Sequence, residues 1–371
     1  MLVLDARGAA GGATGRNGGQ INPMDCYEFE DSIEDNGLEE ALAERAFQFA
    51  GKNEMLRYVE ERGVEADLRM GGQAVNWFTS GERAAGESAH ATCLRNAEQC
   101  GDPSCGLSET LDAEEAEERM RSPDLLGAAF LPVGGGVWGG RIVFSLLEDA
   151  IERGVTLRTQ TLVTSVERAD RLTWLVHTER GTVRAPHVVF ATNGYTDTLV
   201  PELEGDINPY RNQVVITEPA PLQWDFINWF SGPAPAGSSY VYHMQREDGR
   251  LVIGANAEPG SQSDDATDSV SPEVTERLLD EMREVYPALA GVEAEQSWMG
   301  VLSWTSDGFP WVGELPSFRG EAAQGLYVAA GFGGEGMVRC FASGKAVAEM
   351  LTGREPSLFN SRYLPSARGK H

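Results

Sequence analysis

Apolar and polar positions change their spacing several times along this chain. Met1-Leu2-Val3-Leu4 is a short apolar run ending in Asp5, the pattern of a buried strand whose last residue points at a ligand. Residues 8–20, GAAGGATGRNGGQ, are too rich in glycine for a helix. Leu38, Ala41, Leu42, Ala46, Phe49, Ala50 and Leu56 then recur at intervals of three and four, which predicts a helix over 37–63. Residues 65–80 read as strand and turn. Residues 81–107 are polar and small and read mostly as loop, with one helix as the alternative. Ser108 to Arg121 reads as a capped acidic helix.

Alternation and short apolar runs take over in the middle. Ala128–Val133 predicts a strand, GGGVWGG a turn, and Ile142–Arg153 a helix. Thr156–Arg158, Leu162–Arg168, Thr173–Thr178 and Thr182–Ala185 follow as strands. Val188–Thr192 is then a buried strand ending in Asn193-Gly194. Gln213–Glu218, Ser239–His243 and Arg250–Gly254 have the composition of antiparallel sheet, with Glu247-Asp248-Gly249 as a hairpin turn. Ser271-Pro272 starts a helix to about Tyr286, with Pro in its first turn. Strands at Ser297–Leu302 and Leu326–Ala330 and a helix over 336–352 complete the chain. Interleaving α/β segments with a β-rich insert predicts two domains whose chain crosses between them more than once.

Composition narrows the function. Acidic residues number 57 and basic residues 30, a net charge of −27 that repels phosphate backbones and anionic membranes. Nucleic acid is therefore not an expected partner. Only Lys52, Lys345 and Lys370 are lysines, which leaves few candidates for a Schiff base. The absence of G-x-x-x-x-G-K-[ST] argues against a nucleotide-hydrolysing P-loop. The 43 glycines sit in clusters, suggesting backbone that approaches a ligand closely. Cys26, Cys93, Cys100, Cys105 and Cys340 are odd in number in a large chain, so free thiols are expected rather than a disulfide framework, with a local bridge between Cys100 and Cys105 across the turn-like CGDPSC as the alternative, and Cys340 reads as a buried apolar position. There is no metal-site spacing, no apolar run near the ~18 residues of a membrane span, and no signal peptide. The expected compartment is cytoplasmic, although an N-terminal address would be lost with any segment preceding Met1.

One G-x-G-x-x-G occurs, Gly331-Phe332-Gly333-Gly334-Glu335-Gly336, between a strand and a helix. No second strand ending in an acid follows, so the nicotinamide-binding reading fails. The turn still offers an anion site at a helix N-terminus. The missing half of such a fingerprint lies at the other end, where LVLDARG looks like a second Rossmann strand with Asp5 as ribose ligand. The first strand, glycine turn and helix would then precede Met1.

Five blocks carry a resemblance to a known family: GATGRNGGQ at 12–20, GVTLRTQTLVTSV with VVFATNGYT at 154–196, NQVVITEP at 212–219, EDGRLVIGA at 247–255, and SDGFPWVGELP with GLYVAAGFGGEGM at 306–337. Together they span nearly the whole chain. The chain resembles the FAD-dependent amine and D-amino-acid oxidoreductases of the sarcosine oxidase and glycine oxidase group, and is similar to γ-glutamylputrescine-oxidase-like members. The resemblance implies a two-domain α/β fold of the D-amino-acid oxidase type: a Rossmann-like FAD domain over 1–35, 135–205 and 300–371, lacking its first strand and helix, and a mixed-sheet substrate domain over 36–134 and 206–299.

The resemblance also implies roles. Asp5 would bind the adenosine ribose. Thr14, Gly15, Arg16, Asn17, Gly18 and Gly19 would line flavin and pyrophosphate, and Val163 would meet the adenine. Thr192, Asn193 and Gly194 would lie beside the cofactor, with Gly333, Gly334, Glu335, Gly336 and Met337 at the flavin pyrimidine edge. Tyr242, His243 and Trp304 would line the substrate pocket. Apart from the resemblance, Arg211 precedes a strand and is a candidate to meet a substrate carboxylate.

The implied reaction is oxidation of the C–N bond of an amine or amino acid by hydride transfer to flavin N5, with non-covalent FAD because no Cys falls in 297–316. Val252 stands where sarcosine-oxidase-like members carry a lysine thought to aid oxygen, so oxidase and dehydrogenase both stay open. Glu335 stands where many relatives carry histidine. Two alternatives remain: a truncated, non-catalytic remnant that binds no FAD, and a flavin-dependent hydroxy-acid dehydrogenase.

Overall fold

The computed structural model describes residues 1–100, 103–224, 226–231, 240–255 and 269–368. Its largest element is an eight-stranded mixed sheet in the order Ala294–Thr305, Ile207–Pro219, Arg250–Ala255, Tyr240–Gln245, Ile227–Ser231, Gln73–Trp77, Gly127–Leu131, Glu109–Leu111. Every pairing is antiparallel except Ile227–Ser231 with Gln73–Trp77. Helix Pro272–Val285 packs on one face and buries Leu278, Leu279, Met282 and Val285 against Val215, Val241, Leu251 and Ile253. Ser271 caps this helix by accepting from the Val274 N–H at 3.3 Å, and Pro272 fills its first turn, as the sequence predicts.

The remaining strands form smaller sheets. Leu2–Leu4 runs parallel to Thr156–Arg158. Val188–Phe190 runs parallel to Leu326–Ala330, which pairs antiparallel with Trp311–Glu314. Val163–Asp170, Thr173–Thr178 and Gly181–Ala185 make a meander. Phe190, Leu326, Val328 and Trp174 share a second core, against which Leu4 and Val163 pack.

Several expectations need correction. A missing first strand and helix is not confirmed, because the chain opens on strand Leu2–Leu4 and the short helix Ala13–Arg16, the latter inside the stretch expected to be non-helical. Neither expected buried strand is fully buried: Leu2 and Val189 are exposed, each in a short strand at the edge of its small sheet. Residues 81–107 are not mostly loop. Helix Ser80–Asn96 is built of small residues with no broad apolar stripe, and its signal was the capping box between Thr79 and Glu82. The acidic helix covers only Ala113–Met120, because Asp112 caps it and Glu109–Leu111 joins the sheet edge. Helix Cys26–Asn36 was not foreseen. The cysteines are not all free either: Cys26 pairs with Cys93 and Cys100 with Cys105, leaving Cys340, which is exposed rather than buried.

Helix Leu38–Arg62 meets its prediction closely. Glu39 and Glu40 favour its positive N-terminal end, Arg62 its C-terminal end, and Gly63 stops it at φ 60°. It crosses the last helix, Gly336–Leu351, at Gly51. A Cβ there would lie 2.2 Å from the Val338 carbonyl, so only glycine permits this approach.

Candidate functional site

The glycine-rich segment after Leu2–Leu4 is held by its own polar side chains. The Arg7 N–H donates to the Asp5 carboxylate at 2.8 Å, and the Arg7 guanidinium reaches the Tyr195 hydroxyl at 3.2 Å. Arg16 donates to the Gly11 carbonyl at 2.9 Å and the Met299 carbonyl at 2.8 Å, while its own carbonyl accepts from the Trp298 indole at 2.7 Å. Asn17 ties Thr14 to Gly19, donating to the Thr14 carbonyl at 3.1 Å and accepting the Gly19 N–H at 2.9 Å. The loop is thus anchored to strand Ala294–Thr305. Its glycines are needed where neighbours crowd: a Cβ on Gly18 would lie 2.7 Å from the Tyr242 ring, and one on Gly19, at φ +85°, 2.3 Å from the Val137 carbonyl.

Asn193 organises the opposite side. Its side-chain oxygen accepts from the N–H groups of Gly331 at 3.0 Å and Phe332 at 3.3 Å and from the Ser303 hydroxyl at 2.9 Å. Asn193 sits at φ 45°, a left-handed conformation that asparagine tolerates better than most residues. Thr192 pairs with Thr196 through their hydroxyls, and Gly194 lies against Val301 and Leu302. The turn that Asn193 pins leads into helix Gly336–Leu351. Gly331 and Gly333 both have positive φ, and the Gly333 N–H donates to the Ser303 carbonyl at 2.8 Å.

Around that turn stand Trp304, partly exposed at 37%, and Glu335. A Cβ on Gly333 would lie 3.1 Å from the Trp304 ring and 3.0 Å from Glu335 Oε2. Glu335 pairs with Arg339 at 3.0 Å, and Arg339 pairs with buried Glu44 at 2.8 Å. Glu44 also accepts from Tyr363 at 2.6 Å, Asn360 at 3.1 Å and Gln48 at 2.8 Å. Burial raises the Glu335 carboxyl above its ordinary range, with Arg339 opposing. Met337 reaches back to Gly139, beside the Thr14 carbonyl.

The structure therefore gathers Thr14 to Gly19, Asn193, Gly194 and Gly333 to Met337 around strand Ala294–Thr305. Tyr242 joins them through its contact with Gly18, and burial pushes its hydroxyl pKa up. His243, next on the strand, faces the other way. It hydrogen-bonds the Tyr286 hydroxyl at 2.9 Å among Trp224 and Tyr286, and burial pushes its pKa down to about 3. Val163 pairs opposite Thr178 in the meander, beside the second core. Arg211 turns to Ser269 at 2.8 Å. Val252 is buried among Val214, Ile216 and Met244.

Sequence reasoning overlooked Ser303, Glu44 and Arg339. Glu44 shares with Ala41, Gln48, Gly51 and Met55 the helical spacing of one buried face, which is the only local signal it carried. Among the described residues no cluster suits a metal ion, and no helix is long and apolar enough to cross a membrane.

Residues 1–350 match the family model described as FAD dependent oxidoreductase. The chain is 25% identical over 362 residues to the probable oxidoreductase OrdL of Rhizobium meliloti, covering 96% of this chain and 78% of that protein. It is 25% identical over 361 residues to gamma-glutamylputrescine oxidoreductase of Escherichia coli, covering 95% and 78%. It is 28% identical over 318 residues to glycine oxidase of Geobacillus kaustophilus, covering 85% and 78%. The crystal structure of that last enzyme superposes with a TM-score of 0.80 at 22% identity, covering 99% of this chain and 92% of that one. L-proline dehydrogenase from P. horikoshii gives 0.76 at 21%, covering 98% and 90%. The two structures share this chain's fold.

Proposed function

The chain belongs to the FAD dependent oxidoreductase family, and on that premise we propose that it oxidises the C–N bond of a small amine or amino acid with non-covalently held FAD. The observation that carries this reading is the junction at Asn193, where one side-chain oxygen joins the glycine turn before the last helix to strand Ala294–Thr305. Arg16 ties the Gly-rich loop to the same strand. Names among the relatives point the same way, since glycine, γ-glutamylputrescine and L-proline all carry C–N bonds.

The residues fit a flavin dinucleotide. At Gly18 and Gly19 the packing admits no side chain, so the loop can offer bare backbone to a flat or charged ligand. Helix Gly336–Leu351 would offer its positive N-terminal end to the flavin pyrimidine edge, beside Gly333 to Met337. Asp5, at the end of a parallel strand, would hold ribose hydroxyls, and Val163 would border the adenine. Thr14 to Gly19 would follow the pyrophosphate and ring, with Thr192 to Gly194 alongside.

When bound, FAD supplies the hydride acceptor. The chain's own work is to hold the substrate carbon in line and keep water away. Tyr242 and Trp304 are walls of the pocket. Burial keeps the Tyr242 hydroxyl protonated, so Tyr242 positions rather than accepts a proton. His243 is withdrawn into the core and takes no part. The apolar surroundings of Val252 offer no cation to assist oxygen there.

The test is the visible spectrum of the purified chain with and without added FAD. Flavin bands near about 370 and 450 nm that stay with the protein through gel filtration, and bleach with an amine or amino acid under anaerobic conditions, are the expected result. A protein that stays colourless overturns the reading and leaves the non-catalytic alternative. Bleaching by hydroxy acids alone favours the hydroxy-acid dehydrogenase.

A further inference from the structure

We propose that Trp304 and Glu335 form a recognition site for an ammonium group, selecting simple amines over amino acids. This proposal rests on the function proposed above and specifies its substrate class.

The geometry starts at Gly333. The Trp304 ring and Glu335 Oε2 both lie about 3 Å from the point where a Gly333 Cβ would stand, so they are no more than about 6 Å apart. Cation–π attraction operates within about 6 Å of a ring centroid. A carboxylate at that spacing supplies the charge-assisted hydrogen bond that an ammonium also needs. Gly333 leaves room for both, since a side chain there would meet the ring and the carboxylate together.

The partners of Glu335 fit this role. Arg339, itself 5% exposed, holds Oε2 at 3.0 Å from the inner side, while the Glu335 side chain remains 20% exposed. The Arg339 cation opposes the burial that raises this carboxyl, and a carboxylate has about four acceptor positions, so the ion pair fixes its orientation without exhausting it. The Arg339 guanidinium is already divided between Glu44, Glu335 and the Phe332 carbonyl.

Among the described residues, carboxylate recognition is poorly provided for nearby. Arg16 donates to the carbonyls of Gly11 and Met299, and Arg211 donates to Ser269. Glu335 would repel a carboxylate held on the carbon next to the ammonium. The net charge of −27 further favours approach of cations over zwitterions or anions.

The experiment titrates the purified chain, supplemented with FAD, with propylammonium chloride and separately with sodium propionate, by calorimetry at constant ionic strength. Propylammonium is expected to bind and propionate not to bind. Glu335→Gln should weaken propylammonium at least tenfold, and Trp304→Leu about threefold or more. Glu118→Gln, an exposed change on helix Ala113–Met120, removes the same net charge and should leave binding unchanged. Trp304 is partly exposed, so its variant stays informative if Glu335→Gln disturbs folding.

Equal weakening by Glu118→Gln, no weakening by either site variant, or preferential binding of propionate would each overturn the proposal. Failure of the two readings is separable. A chain that holds FAD and is bleached by amines, yet binds propylammonium equally well as Glu335→Gln, defeats only the ammonium site. A chain that retains no FAD defeats the proposed function, and the same titration still reads the site.

Discussion

Arg339 and Glu44, 295 residues apart in sequence, meet at 2.8 Å with side chains 5% and 1% exposed. The pair fastens the last helix to the long N-terminal helix, and Tyr363 brings the C-terminal segment to the same carboxylate. Replacing Arg339 by leucine leaves Glu44 buried without its cation. Chemical denaturation should show a loss of about 3–5 kcal/mol. Pairing this change with Glu44→Leu should recover part of the loss, because no uncompensated charge then remains.

Asn193→Ala removes the acceptor shared by Gly331, Phe332 and Ser303. Leaving these donors unmatched should cost about 1–3 kcal/mol and loosen the turn before the last helix. If that turn borders FAD as proposed, fluorescence titration should show at least tenfold weaker binding. Asn193→Gly relieves the positive φ yet lacks the acceptor, so it should recover some stability and little affinity.

His243 gives a pH dependence with a definite sign. Its pKa is near 6.5 unfolded and is pushed down to about 3 by burial. The unfolded chain therefore binds the proton first, and the favourable contribution of the neutral ring is lost as pH falls below about 6.5. The loss between pH 6.5 and 5 is about 2 kcal/mol. His243→Phe should remove this component, seen as a flatter stability profile over that interval in urea titrations.

The cysteine pairing is directly countable. Under denaturing, non-reducing conditions one thiol should react, Cys340, and five after reduction. Cys26–Cys93 closes a separation of 67 residues, so removing it by Cys26→Ser should cost about 4 kcal/mol on the chain-entropy model. Five reactive thiols before reduction would contradict both pairings.

Local spacing made much of the architecture legible. Leu38–Arg62, Pro272–Val285 and Gly336–Leu351 announce themselves through apolar periodicity, caps and a terminal glycine, signals that act within a few residues. The glycine turn at 331–336 was legible because backbone of that shape needs glycine wherever it occurs. Helix Ser80–Asn96 was legible only as one helix within a stretch read mostly as loop, since its small residues are buried by neighbours rather than by a stripe of their own.

The candidate site divides along the same line. The sequence by itself, through its glycine-rich blocks and the resemblance they carry, singled out Asp5, the loop at 14–19, Asn193 and the turn before the last helix as candidates. Only the tertiary structure decided that Asn193 grips that turn, that Arg339 restrains Glu335 from within, and that Trp304 stands beside it. It also turned His243 away from its neighbour Tyr242, because adjacent strand residues face opposite sides of a sheet. These relationships join residues up to 295 positions apart. Local propensity has no term for such distances, and they arise only when packing brings the chain's own polar groups within reach of one another.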